Sequence, residues 1–109
     1  MSAERDRHYR DASKGAVYTP MSEARRCVAA LPNVNGTIFD PACGNGNLLI
    51  AAAERKLAEG QQPEQIAADL FGNDINAEAV AEAAARLNEL LGVAAPAENF
   101  TIGDWLNES

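Results

Sequence analysis

The chain has 109 residues and 47% of them are hydrophobic, but 22 of those 51 residues are alanine, so only 29 larger apolar side chains remain. That length limits the chain to one domain, and alanine favours helix while adding little burial, so an α-rich unit with a thin core is expected. The net charge of −7 is uneven: residues 1–26 sum to +2 and residues 27–109 to −9, a body that repels a phosphate backbone.

Residues 1–16 are polar and read as an N-terminal arm, with His8 as an exposed polar residue. Thr19 is a good N-cap and Pro20 suits a first helical position, so a helix is expected to open there. Met21, Ala24, Val28 and Leu31 then share one face. Pro32 ends that helix, and Asn33 to Gly36 make a loop. Thr37 to Phe39 is a short strand, followed at once by the turn Asp40-Pro41-Ala42-Cys43-Gly44-Asn45-Gly46. Leu48 to Leu57 reads as a second helix, stopped by Gly60. Gln61 to Ala68 reads as a connector with at most one helical turn after Pro63.

Leu70 to Gly72 is the second strand and runs out into Asn73-Asp74. A third helix is expected from Ala77 to Leu91, with an apolar stripe of Val80, Ala83, Ala84, Leu87, Leu90 and Leu91. Asn76 caps it, Glu78 suits its positive end, and Glu82 pairs with Arg86. Gly92 stops it. Asn99 to Ile102 is a third strand, ending in Gly103-Asp104. Alternating strands and helices predict an α/β fold with a parallel sheet, its strands side by side in the order 3-2-1. That is half of a doubly wound sheet.

Three features carry chemistry. The Asp40–Gly46 turn sits between a strand and a helix, where glycines let backbone approach a ligand and the helix start offers free N–H groups. A plain tight turn is the alternative. Its third glycine position is Leu49, so the dinucleotide fingerprint fails, and there is no triphosphate-binding P-loop. Asp74 ends the second strand, where an acid either accepts from both hydroxyls of a ribose or serves as an ordinary loop carboxylate; Ile75 is placed to flank an adenine. Asp104, with Trp105 beside it, offers an acceptor for an exocyclic amine and a flat apolar wall, or else a surface turn with a docked indole. Ligands of open α/β sheets bind along the carboxyl edge, and all three features stand there.

These residues resemble an S-adenosylmethionine-dependent adenine-N6 DNA methyltransferase, nearest to the modification subunits of type I restriction systems. Tyr18-Thr19-Pro20 matches the motif ahead of that family's core, which lies against the cofactor's methionine part. Asp40-Pro41-Ala42-Cys43-Gly44-Asn45-Gly46 matches its methionine-binding loop, Asp74-Ile75-Asn76 its ribose segment, and Gly103-Asp104-Trp105-Leu106 its adenine segment. The resemblance covers residues 15–106. It implies a Rossmann-like methyltransferase fold, N-terminal half only, over residues 17–109, with S-adenosyl-L-methionine held by Tyr18, Thr19, Pro20, Asp40, Ala42, Cys43, Gly44, Gly46, Asp74, Ile75, Asp104 and Trp105.

The family's catalytic [N/D/S]-P-P-[Y/F] tetrapeptide occurs nowhere in the chain. That motif holds the target amine and stacks on the flipped base. No catalytic residue is therefore carried over, and the chain alone is expected to be inactive. DNA would be met through regions of the parent protein not contained here, with a specificity or restriction subunit as a further partner.

Two other functions stay open. One is a non-catalytic docking module, or a self-associating one, working through an unpaired edge at the first strand. The other is an amino-group methyltransferase for RNA or protein. Cys27 is expected to be half buried and structural, and Cys43 to be no nucleophile. Two cysteines make neither a disulfide framework nor a four-cysteine zinc site, so no metal is assigned. There is no run of about 18 apolar residues and no secretory h-region, so no membrane partner and a cytoplasmic location are expected.

Overall fold

The computed structural model describes residues 19–104. In chain order these are α1 (Met21–Ala29), β1 (Ile38–Asp40), α2 (Asn47–Ala58), α3 (Pro63–Asp69), β2 (Leu70–Asp74), α4 (Ala77–Leu91), a 3₁₀ turn (Ala97–Asn99) and β3 (Phe100–Ile102). The expected polar arm, Tyr18, Trp105 and Leu106 lie outside the described residues.

The sheet is parallel with β2 at its centre, as the alternating pattern requires. Ile38 is opposite Leu70, and Gly72 is opposite Phe100. Side chains alternate along a strand, so Leu70, Gly72 and Asp74 share one face of β2. That face carries the helices: Leu70 is fully buried, and Leu49 of α2 lies against Gly72. The core is the expected thin one. It is built from Ala24, Ala51, Ala52, Ala53, Ala67 and Ala83, around the larger side chains of Leu49, Ile66, Leu70 and Leu87.

Several local expectations are corrected. Helix α1 starts at Met21 with Pro20 at the N-cap position and no side-chain cap, so Thr19 does not cap it. Leu31 falls past the helix end and is 44% exposed. The connector after Gly60 is a full helix, α3, with Pro63 in its first turn. Ile66 and Ala67 are buried along it, which is why it forms: two large or small apolar positions reach the core where only one turn was expected. A 3₁₀ turn precedes β3, tied down by the Asn99 side chain, which donates to the carbonyls of Ala67, Ala68 and Leu70. Helix α4 has the expected bounds, and the Asn76 side chain accepts from the Ala79 N–H at 3.1 Å.

Helix α2 gathers the polar ends of its neighbours. Arg55 Nη1 donates to the carbonyls of Val28 and Leu31 at 2.8 Å each, closing the last turn of α1. Lys56 is fully buried, yet its Nζ donates to the carbonyls of Val34 (2.6 Å) and Gly36 (2.8 Å) and reaches Gln61 Oε1 at 3.3 Å. Burial pushes its pKa down. Among the described residues, no helix is long and apolar enough to cross a membrane.

Candidate functional site

The carboxyl ends of the three strands lie side by side, and the turn from Pro41 to Gly46 is clamped onto the end of β2. The Cys43 N–H donates to the Asn73 carbonyl at 2.7 Å. The Gly44 N–H donates to Asp74 Oδ2 at 3.0 Å, and the Asn76 N–H donates to Asp74 Oδ1 at 2.9 Å. Asp74 is 2% exposed, so its carboxylate organises both the glycine turn and the start of α4. Each of its oxygens keeps a second lone pair. Asp40 Oδ1 accepts from the Ala42 N–H at 3.2 Å, which folds the turn back on β1.

Two glycines are required here by the protein's own packing. Gly46 has φ +93°, and a Cβ on it would stand 2.8 Å from Ala83 Cβ of α4. The close approach of α2 to α4 thus needs a glycine at this position, whatever the turn also holds. A Cβ on Gly72 would stand 2.9 Å from Leu49 Cδ1 and 3.1 Å from Cys43 Sγ. Glycine there lets the turn and α2 settle on β2.

Electrostatics follow from this burial. Desolvation pushes the Cys43 thiol up to about 12, and the nearby carboxylates of Asp40 and Asp74 push the same way. The thiol is therefore no nucleophile at neutral pH. Burial likewise raises the Asp40 carboxyl above its usual range, with the neighbouring charge of Asp74 adding to it. Cys27, by contrast, is exposed rather than half buried, because it points away from the Ala24–Val28 face of α1.

Three site residues escaped the sequence reading. Asn73 Nδ2 donates to the carbonyls of Pro41 (3.1 Å) and Gly103 (2.9 Å), and its Oδ1 accepts from Thr101 Oγ1 at 2.8 Å. One buried side chain thus ties together the ends of all three strands. Asn47 Nδ2 donates to the Thr19 carbonyl at 2.6 Å. Arg86 Nη1 donates to Asn47 Oδ1 at 2.7 Å and to the Asn45 carbonyl at 3.0 Å, so it serves the turn instead of the expected pair with Glu82. These contacts span 28 to 41 residues of sequence, beyond the reach of any local pattern.

The described site residues are brought to one edge. Asp40, Ala42, Cys43, Gly44, Gly46 and Asp74 form one hydrogen-bonded unit, and Thr19 joins it through Asn47. Asp104 is held near by Gly103, whose N–H donates to the Asp74 carbonyl at 3.0 Å. Ile75 is 42% exposed beside them, and Pro20 is exposed at the start of α1. Among the described residues, no group of three or more His, Cys, Asp or Glu side chains is placed to hold a metal ion.

A profile of the N-6 DNA Methylase family matches residues 7–108. The chain belongs to that family. It is 36% identical over 98 residues to the type II methyltransferase M.VspI of Vibrio sp. (strain 343), covering 88% of this chain and 22% of that protein. It is 37% identical over 60 residues to the type I restriction enzyme MjaIX methylase subunit of Methanocaldococcus jannaschii, covering 55% of this chain and 10% of that subunit. The chain thus spans less than a quarter of the length of either relative. No solved structure matches it.

Helix α2 begins at Gly46 with no side-chain cap and no acid in its first turn, so its first N–H groups are left for an anion. Asn45 Oδ1 is a buried acceptor with no partner, which suits an ammonium or hydroxyl donor.

Proposed function

We propose that residues 17–109 form the S-adenosyl-L-methionine-binding half of a DNA methyltransferase that acts on adenine N6 in a restriction-modification or related system. The observation that carries the reading is the uncapped start of α2 beside an unpartnered Asn45 Oδ1, within an edge that holds Asp40, Asp74 and Asp104. In this reading the first turn of α2 takes the carboxylate of the methionine part. Asp40 and Asn45 Oδ1 balance its ammonium, and Tyr18-Thr19-Pro20 lies against it. The free lone pairs of Asp74 accept from the ribose, Asp104 accepts from the adenine amine, and Ile75 and Trp105 wall the ring. When bound, the cofactor supplies an already activated methyl group. The residues here orient it and exclude water, and they hold no catalytic group, since the [N/D/S]-P-P-[Y/F] tetrapeptide is absent from the sequence.

Calorimetric titration with S-adenosylhomocysteine, the demethylated cofactor, tests this. Binding is expected for the native protein and is expected to weaken at least tenfold in Asp104→Ala. No heat of binding at any concentration of protein would end the reading. The docking alternative rests on β1, which pairs with β2 on one side and forms the sheet edge, with Phe39 43% exposed. Size-exclusion at rising concentration decides it: a monomer throughout excludes self-association.

A further inference from the structure

We propose that Asn47 and Arg86 are positioning residues that fasten the Thr19 segment to the glycine turn, so that two sides of one pocket assemble as a unit. The fastening stands on the geometry alone; naming what the pocket holds rests on the cofactor reading above. Asn47 sits at the first position of α2, where its side chain donates from Nδ2 and accepts at Oδ1 at once. It spends the donor on the Thr19 carbonyl (2.6 Å) and the acceptor on Arg86 Nη1 (2.7 Å). Neither a carboxylate nor an apolar side chain performs both tasks.

Arg86 fixes which way the amide faces. A guanidinium only donates, so the atom of Asn47 that faces it must be the oxygen, and the N–H₂ group is turned toward Thr19. The same Nη1 holds the Asn45 carbonyl at 3.0 Å, two residues earlier in the turn. The result is a relay across three elements: α4, the start of α2, and the backbone just before α1. The Thr19 carbonyl cannot be used by the α1 ladder, whose first bond runs from the Ala24 N–H to the Pro20 carbonyl. Without Asn47 the Thr19 carbonyl loses this partner, and the tie between its segment and the turn is gone.

Hydrogen–deuterium exchange on the whole chain, read by mass spectrometry, separates the two ends of the relay. Asn47→Asp keeps an acceptor for Arg86 but sets a carboxylate against the Thr19 carbonyl. Exchange in residues 19–24, read at the Ala24 N–H that makes the first bond of α1, is expected to rise about tenfold, the equivalent of one hydrogen bond, with residues 43–46 unchanged. Arg86→Met should raise exchange in 43–46 as well. Asn47→Ala, which breaks both contacts without adding charge, is the second variant, and residues 63–69 report any global loosening.

S-adenosylhomocysteine affinity is measured on the same samples and is expected to fall about fivefold or more in each variant. Unchanged exchange at 19–24 in both Asn47 variants overturns the proposal. So does increased exchange with undiminished affinity, which would leave the relay purely structural. Should the native protein bind no S-adenosylhomocysteine, the cofactor reading fails and the exchange pattern still decides the fastening.

Discussion

Replacing Gly46 by alanine separates two reasons for a glycine at the start of α2. If the residue served only to admit a ligand, Gly46→Ala would leave stability unchanged and weaken binding alone. The geometry says otherwise. The backbone at φ +93° costs a β-carbon about 1–2 kcal/mol. The added methyl would also stand 2.8 Å from Ala83 Cβ and 3.0 Å from Ala83 Cα, an overlap worth roughly 1–3 kcal/mol in a packed interior. The expected loss is therefore about 2–5 kcal/mol, a large part of the stability of a domain this size. Urea denaturation followed by circular dichroism measures it. The companion variant Ala83→Gly costs about 1 kcal/mol alone as a helix-interior glycine. In the double variant it should return part of the overlap but none of the backbone strain. The two changes should thus couple by about 1 kcal/mol or more. A Gly46→Ala protein within 0.5 kcal/mol of its parent, or strict additivity in the double variant, would refute the packing argument.

Three further outcomes are expected. Lys56→Met keeps the apolar stem but strips the buried Val34 carbonyl and the part-buried Gly36 carbonyl of their donor, and should cost about 2 kcal/mol in the same denaturation assay. Iodoacetamide at pH 8 should label Cys27 rapidly and spare Cys43, whose thiol at about 12 is only about 10⁻⁴ ionised there; mass spectrometry should find the second adduct only in denaturant. Asp40→Asn keeps the acceptor for the Ala42 N–H while removing a buried charge beside Asp74. The folded carboxyl titrates above its ordinary 3.8, so the native state binds the proton more tightly and loses stability as pH rises through that window. The variant should therefore melt above its parent at pH 7, with the gap closing as pH falls toward 3.8, by differential scanning calorimetry.

Local rules made much of this fold legible. Asn76, Glu78 and Gly92 mark both ends of α4, and the alternation of short β-prone runs with helices fixes a parallel sheet centred on β2. The glycine turn and the acids at the strand ends were legible for the same reason, since the signal lies within seven consecutive residues or directly after a strand. What stayed hidden was held by distance. Asn73, Asn47 and Arg86 carry ordinary polar side chains whose partners lie 28 to 41 residues away. Helix α3 is hard to see locally because it is only seven residues long, and it is the burial of Ile66 and Ala67 that sustains it. Arg86 was paired with Glu82 by helical spacing, and the carbonyl of Asn45 outcompeted that exposed partner.

The two basic residues at the end of α2 fasten chain that is synthesised before them. Arg55 holds the carbonyls of Val28 in α1 and Leu31 just after it, 27 and 24 residues earlier, and Lys56 holds those of Val34 and Gly36. At about 5–20 residues per second of synthesis, α1 waits roughly one to five seconds for its fasteners to be made. During that interval water must serve its last carbonyls, and the segment stays open. Helix α2 thus carries, in two adjacent side chains, the ties that hold chain made before it.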